Sequence, residues 1–371
     1  MDQPLISIVL TTFNSENTVF DVLGAIVRQD IGLKNIELIV VDGGSKDGTL
    51  EIVNGFLRKY EALFYKTKVI THDKNYGLSK ARNDGIKASN GRFILILDDD
   101  IIMNSSTLRI LLEFLEKSPR NVAAVMPLCV KYPEGTLDKW YRIINEGRIS
   151  HASSVTNCVL IRREVFEEIG LYDETLGLPF TMGEEIEFAA RVKSKGYRVL
   201  TIGFEKVLHI MDKNMWKEKK IVQQVSSKSQ VRMINVVRIS KNIVAAIRLL
   251  GSSSYRYAYK RYIASLPPLD KLKWYMYLVA FLSTVLSVTI YCISNLLGIL
   301  HQLAVTVSIS LAMNLTLYIS TLMGYWNPKA LRASLAYSAV ALVWRMLRST
   351  ILLIPVSDRK PANQQSKLLR H

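Results

Sequence analysis

The apolar run Phe93-Ile94-Leu95-Ile96-Leu97 ends on three consecutive aspartates, Asp98-Asp99-Asp100. Adjacent apolar residues without alternation read as a strand covered on both faces, as in the parallel sheets of α/β proteins. Ligands of such open sheets bind just outside the carboxyl ends of the strands. Carboxylates gathered there repel one another and lose solvation, a cost that a divalent cation carrying phosphate offsets. Hard oxygen donors suit Mn²⁺ or Mg²⁺. The plainer alternative is a solvated acidic turn that caps a following helix near Ser105-Ser106.

The surrounding sequence alternates in the same way. Leu5–Leu10, Ile36–Val41, Val69–Thr71 and Ala123–Met126 read as further strands. Between them Val19, Val22, Leu23, Ile26 and Val27 keep helical spacing, as do Leu50, Ile52, Val53, Phe56 and Leu57, and Leu108, Leu111, Leu112 and Leu115. Strands alternating with helices predict a doubly wound parallel sheet with helices on both faces. The polar clusters fall at the strand ends: Thr11-Thr12-Phe13-Asn14, Asp42-Gly43-Gly44-Ser45, the segment Asn75–Asn83, and the aspartates. Each alone is compatible with an ordinary turn. Together, on the edge where ligands bind, they describe a site for a nucleotide diphosphate and its metal.

The ordered set strand-Thr-x-Asn, strand-Asp-x-x-Ser, Asn-x-Gly-x-x-x-Ala-Arg-Asn and strand-Asp-x-Asp resembles the family 2 glycosyltransferases of the GT-A fold. The stretch Leu160–Glu174 is similar to the family's acceptor-side segment, and Gly183-Glu184-Glu185-Ile186-Glu187-Phe188 with Arg191 to the start of its catalytic helix. The resemblance covers about residues 5–210. It implies an α/β fold: a GT-A, Rossmann-like catalytic domain with a mainly parallel sheet, here followed by amphipathic and transmembrane helices.

By that resemblance Thr12, Phe13 and Asn14 line the nucleoside pocket, with the Phe13 ring stacking on the base. Asp42 accepts a hydrogen bond from the base; the acidic residue that often follows it in the family is Gly43 here, which leaves the base open. Arg82 contacts base or diphosphate. Asp98 meets ribose and metal, Asp99 supports them, and Asp100 ligates the metal. His209 is placed where many relatives complete the metal site, although a His after an apolar run is also an ordinary core residue. Glu185, where the family usually has Asp, is the general base that deprotonates the acceptor, and Glu184 holds an acceptor hydroxyl. The alternative for both glutamates is that they serve only to favour a helix N-terminus.

Charge divides the chain. Residues 1–210 hold 26 Lys/Arg and 28 Asp/Glu, whereas residues 211–371 hold 22 Lys/Arg against Asp212, Glu218, Asp270 and Asp358. The excess positive charge lies beside the most apolar sequence, which favours an anionic membrane over nucleic acid as partner. No Lys, Arg, Asp or Glu occurs between Lys273 and Lys329. That length predicts two membrane spans with a turn at Ser294–Gln302, flanked by Trp274, Tyr275, Tyr277, Tyr325 and Trp326. Basic residues at both ends place both ends in the cytoplasm, on the side of the catalytic domain. The expected organisation is therefore a catalytic domain over 1–212, basic amphipathic surface helices over 213–273, a two-helix hairpin over 274–326, and over 327–371 an apolar in-plane or third membrane helix with a basic tail. A solvated basic linker is the alternative for 213–273. Cys129, Cys158 and Cys292 are too few and too scattered for a disulfide framework or a thiolate metal site.

The expected function is a metal-dependent, inverting glycosyltransferase at the cell membrane. Its partners are a nucleotide-sugar donor and a membrane-associated acceptor such as a polyprenyl-phosphate or a lipid-linked glycan, a reaction type used in building cell-envelope glycans. A processive polysaccharide synthase ranks second, because Gln-x-x-Arg-Trp is absent and the spans are too few for a polymer channel. A non-catalytic nucleotide- or lipid-binding relative is the third reading. The oligomeric state is not encoded in any motif.

Overall fold

The computed structural model describes residues 3–152, 154–155, 157–176, 183–211, 260, 263–264, 266, 268–297, 303–325 and 331–349. In chain order the elements are β1 (Ile6–Thr12), α1 (Val19–Val27), β2 (Ile36–Asp42), α2 (Thr49–Tyr60), β3 (Lys66–Thr71), α3 (Leu78–Ala88), β4 (Phe93–Asp98), β5 (Ile101–Met103), α4 (Thr107–Lys117), β6 (Val122–Tyr132), α5 (Thr136–Asn145), β7 (Ile149–His151), β8 (Cys158–Arg162), α6 (Arg163–Ile169), α7 (Glu184–Ser194) and β9 (Arg198–Ile210). The helices α8 (Pro268–Leu297), α9 (Leu303–Tyr325) and α10 (Leu331–Ser349) follow.

The strands form one sheet in the order β3-β2-β1-β4-β8-β6-β9-β5, with β7 also on β9. The first four strands are parallel, and β6 runs parallel to β9. In contrast, β8 is antiparallel to β4 and β6, and β5 and β7 are antiparallel to β9. The expected mainly parallel sheet is thus corrected to a mixed one. An apolar run reports burial on both faces and carries no information on strand direction.

The strand interiors split by period two, as pleating requires. Ile6, Ile8 and Leu10, with Leu38, Val40, Leu95 and Leu97, face a core shared with α1, α2 and α4. Val9, Ile94 and Ile96 face the opposite core with α6 and α7. Helix α3 lies almost flush on this second face: a Cβ on Gly85 would stand 2.3 Å from Val9 Cγ1. Glycine is what permits this approach, and it fixes the height at which α3 carries Arg82 above the strand ends.

Helices α8, α9 and α10 share a small core of Trp274, Tyr277, Ala280, Leu317, Leu342 and Met346. Among the described residues this unit touches the α/β domain through α5 and α7. The Tyr337 ring is 5.6 Å from that of Tyr141 on α5, and Ile186 on α7 packs against the helical core. Among the described residues no helix is long and apolar enough to cross a membrane, so the two spans over 274–326 are not supported. Helix α8 continues through the expected start of the turn to Leu297, and the apolar segment after Leu331 is a regular helix. The basic helices expected over 213–273 lie almost wholly outside the described residues, as do Trp326, Lys329 and the tail from residue 350.

Candidate active site

Strand register assembles the first region, at the ends of β1, β2 and β4. Thr12 lies beside Asp42 across β1 and β2, and Thr11 beside Asp98 across β1 and β4. Asp42 is fully buried and its carboxylate is used internally. It accepts from Thr12 Oγ1 (3.2 Å), Ser45 Oγ (2.5 Å) and the backbone N–H groups of Gly44 (3.0 Å) and Ser45 (2.9 Å). These bonds brace the turn after β2 around the carboxylate expected to accept from a base. Asn14, at a φ of 48°, ties the neighbouring loop to that turn: its N–H donates to Ser45 Oγ (2.9 Å) and its Oδ1 accepts from Lys46 N–H (2.9 Å). Phe13 leaves 40% of its surface open, as a stacking platform requires. Asp99 fastens that loop, accepting from Phe13 N–H (3.0 Å) and from Ser15 Oγ.

Arg82 organises the centre. Its guanidinium is wholly buried, with Nη2 donating to Asp98 Oδ1 at 3.1 Å, Nη1 3.5 Å from Glu184 Oε1, and Nη2 3.8 Å from Glu185 Oε1. Burial works against its charge, but Asp98, the Tyr172 phenol, Glu185 and Glu184 more than offset this and raise its pKa. The carboxyls respond in the other direction. Burial raises Asp98, with Asp100 adding to the shift and Arg82 opposing it. Burial likewise raises Glu184. Burial and then the neighbouring Glu184 push Glu185 up to about 8, against the pull of Arg82. Glu185 is nonetheless the more open of the two glutamates, with 23% of its side chain exposed against 1% for Glu184. A partly exposed carboxylate poised near neutrality is suited to proton abstraction.

The third region pairs Asp100 with His209. β5 runs antiparallel to β9 with Ile101 opposite His209, which brings His209 Nε2 to 3.4 Å from Asp100 Oδ2. Asn157 Nδ2 lies 3.1 Å from His209 Nδ1 and orients the ring. These contacts replace the alternative of a solvated turn capping a helix. Among the described residues no group of three or more His, Cys, Asp and Glu is arranged to hold a metal ion; Asp98 is turned to Arg82. The residues present still fit a divalent cation, because Asp100 Oδ1 is buried with no hydrogen-bond partner. A carboxylate and an imidazole, with phosphate oxygens completing the shell, match the way Mg²⁺ and Mn²⁺ are held by few protein ligands.

Several contributors find partners that no local signal announces. Asn83 clamps the segment after α6: its Oδ1 accepts from Tyr172 N–H (2.9 Å) and its Nδ2 donates to Tyr172 O and Glu174 Oε1 (2.9 Å each). Arg191 on α7 donates to Ile169 O (2.8 Å) and Leu171 O (2.6 Å), so the segment is held from both sides. The Tyr172 ring then lies 5.4 Å from the Arg82 guanidinium and stacks on Phe188 at 4.6 Å. His72, next to Asp42 through its backbone N–H (2.9 Å to Asp42 O), pairs with Asp84 at 2.9 Å. The Asn83 motif was visible in sequence; the partners it selects were not.

Residues 7–170 match the family model described as Glycosyl transferase family 2. Among curated proteins, the chain is 25% identical over 206 residues to "Glycosyltransferase AglE" of Haloferax volcanii, covering 52% of this chain and 63% of that protein. It is 29% identical over 212 residues to "Uncharacterized glycosyltransferase EpsJ" of Bacillus subtilis, covering 51% and 58%. The chain thus spans less than two thirds of these curated relatives. Among solved structures it is similar to the mannosyltransferase PcManGT from Pyrobaculum calidifontis in complex with GDP-Man and Mn²⁺, with a TM-score of 0.48, 15% identity, and coverage of 92% of this chain and 88% of that one.

Proposed function

We propose that this protein is an inverting glycosyltransferase that moves a sugar from a nucleotide-diphosphate donor to an acceptor held at a membrane, with its catalytic domain on the cytoplasmic side. One observation carries the reading: a single buried guanidinium, Arg82, joins Asp98 at the nucleotide edge to Glu184 and Glu185 at the start of α7. Two sequence-distant carboxylate sets with different tasks are thereby held together. The family match over 7–170 supports the same reaction class.

In this reading Phe13 and the turn built by Asp42 receive the nucleoside, and Arg82 and Asp98 orient the sugar-bearing end of the diphosphate. Asp100 and His209 would hold a divalent cation, which would supply charge stabilisation at the diphosphate. Glu185 takes the proton from the acceptor hydroxyl as it attacks the anomeric carbon from the face opposite the leaving group. Placing attacking oxygen, anomeric carbon and leaving oxygen in one line accounts for much of the rate gain such a site offers.

Two observations support membrane attachment. Leu269, Leu311, Leu315 and Val343 are each more than half exposed on α8–α10, an apolar surface of the kind that marks an interaction face. The flanking sequence also carries the chain's excess positive charge, which suits anionic headgroups. The test is a thermal-shift screen of UDP, GDP and their sugar conjugates with and without Mn²⁺, followed by donor turnover in detergent extract. A nucleotide that raises the melting temperature only with metal supports the reading. No shift with any nucleotide overturns it.

A further inference from the structure

Helices α8, α9 and α10 are joined by polar side chains on the inside and carry apolar ones on the outside. Tyr277 Oη lies 3.4 Å from Thr321 Oγ1, and about two turns further along Asn314 Nδ2 donates to Thr284 Oγ1 at 2.9 Å, so α8 and α9 run antiparallel. Tyr318 Oη donates to Leu335 O at 3.0 Å and Arg345 Nη1 to Tyr277 Oη at 3.0 Å, which ties α10 to both. Tyr277 and Thr321 are buried, whereas Leu282 and Leu286 on α8, Leu311, Leu315 and Ile319 on α9 and Val343 on α10 are exposed. A helical unit in water places these two sets the other way round. Polar links under an apolar exterior are the pattern of helices packed in lipid. All three helices contribute to that exterior, which favours a surrounding bilayer over a protein seated on one face.

Arg345 is half-buried at the junction of these helices, with its guanidinium 5.8 Å from the centre of the Tyr277 ring. Between Asp270 and Asp358 the sequence holds six Lys/Arg and no Asp or Glu, so the segment as a whole attracts anions. Position along the helices sets the level at which Arg345 meets one. The exposed leucines of α8 run from Tyr277 to Leu286, and those of α9 run from Thr321 to Leu311 in the same direction. Each stretch is about 15 Å long, close to the acyl depth of one leaflet. On the other side of Tyr277, exposed Leu269 and Leu272 alternate with Lys271 and Lys273, a mixture suited to the headgroup zone. Arg345 therefore stands at the boundary between the two zones, where a bilayer carries its phosphates. A planar guanidinium pairs with phosphate oxygens through two N–H groups, and Tyr277 fixes its plane by holding one nitrogen.

We propose that Arg345, positioned by Tyr277 and Thr321, binds the phosphate of a membrane phospholipid whose acyl chains lie against the exposed faces of α8 and α9. The site rests on the membrane attachment proposed above and not on the transfer chemistry. It adds one defined headgroup contact to an attachment otherwise made by scattered charge and apolar area, and it sets the depth of the helical unit. Ile186 packs against the core that contains Tyr277, so the start of α7 is held close to the headgroup layer.

The test uses the full-length chain in detergent and counts bound lipid by native mass spectrometry after addition of phosphatidic acid or the phosphate-free digalactosyl diacylglycerol. The wild type is expected to retain phosphatidic acid under conditions that strip the galactolipid. Arg345→Gln should need about tenfold more phosphatidic acid for the same occupancy, because hydrogen bonds from a charged donor are lost. Tyr277→Phe keeps the ring and the charge and should show a smaller loss; it carries the comparison if Arg345→Gln loses helix by circular dichroism. Lys68→Gln makes the same charge change on the exposed edge strand β3 and should match the wild type. Undiminished retention in Arg345→Gln and Tyr277→Phe, equal loss in Lys68→Gln, or equal retention of the galactolipid overturns the site. So does a melting temperature raised as much by inorganic phosphate as by phosphatidic acid, which marks a free-anion site. Flotation with liposomes reads the attachment separately. A wild type that floats without Arg345-dependent retention loses the site alone, and one that neither floats nor retains lipid loses attachment and site together.

Discussion

Arg82 Nη2 donates to Asp98 Oδ1 across 3.1 Å, and the arginine side chain is entirely shielded from solvent. The pair ties α3 to the end of β4. Because Glu184 and Glu185 lean on the same guanidinium, it neutralises more than one partner.

Replacing Arg82 by Leu removes the cation these carboxylates share and leaves Asp98 and both glutamates without it. The loss is expected to cost about 3–5 kcal/mol of stability, the range for removing one partner of a buried pair. Urea denaturation monitored by circular dichroism would read it as a lower midpoint. Arg82→Lys should restore part of the stability but not donor binding, since an ammonium lacks the planar fork.

Glu185→Gln keeps shape and removes the proposed base. Sugar transfer is expected to fall about 10²–10⁴-fold, the usual contribution of general acid–base catalysis, while nucleotide binding in the thermal-shift assay persists. A variant that retained half the wild-type turnover would take Glu185 out of the mechanism.

The pH dependence follows from the same residue. Its carboxyl is moved from 4.5 up to about 8 by burial and by Glu184, so the active, deprotonated form accumulates as pH rises, and kcat should climb toward pH 8. Stability runs the other way. A carboxyl whose folded-state pKa is raised contributes most below its unfolded value, and that contribution is lost between about pH 4.5 and 8. The melting temperature should therefore decline across that window in the wild type and decline less in Glu185→Gln.

Asp100 and His209 should govern the response to metal. Chelation by EDTA is expected to abolish turnover, with Mn²⁺ or Mg²⁺ restoring it. Asp100→Asn and His209→Ala should raise the metal concentration needed for half-maximal activity about 10–100-fold. Asn157→Ala, which frees the His209 ring, should produce a smaller shift in the same direction. Turnover in EDTA equal to that with metal would show that the diphosphate leaves without a cation.

Membrane attachment predicts flotation of the full-length chain with liposomes containing anionic lipid. Release at high salt should be partial, because screening weakens the charge contribution and leaves the apolar one. Substituting Leu311, Leu315 and Val343 together by Gln should lower the salt-resistant fraction. Equal recovery of wild type and triple variant in the floated layer would remove these residues from the contact.

Much of the parallel half was legible in the sequence, because β4 is an unbroken apolar run, β1 and β2 are interrupted before their polar ends only by Ser7 and Glu37, and those ends mark the expected ligand edge. The later half was less so. β5 has only Ile101–Met103 and gives no periodic signal. β9 spans Arg198–Ile210 yet carries Glu205, whose burial makes sense only once Thr107 Oγ1 is seen donating to it at 2.6 Å. Strand direction around β8 left no trace in composition. At the site, Arg82, Asp98 and Glu185, named from separate motifs, are brought together, and the bonds by which Asp42 braces its own turn were announced by no motif. The Tyr172 hydroxyl could not be anticipated, since its neighbours come from α3 and α7. Long-range contacts of this kind decide which polar atoms are spent and which stay available.

Ile186 follows the proposed base directly in sequence and is packed into the core of α8–α10. No flexible linker intervenes at that point. A tilt of those three helices therefore bears on the residue beside the proposed base, and on α5 through the Tyr141 and Tyr337 rings.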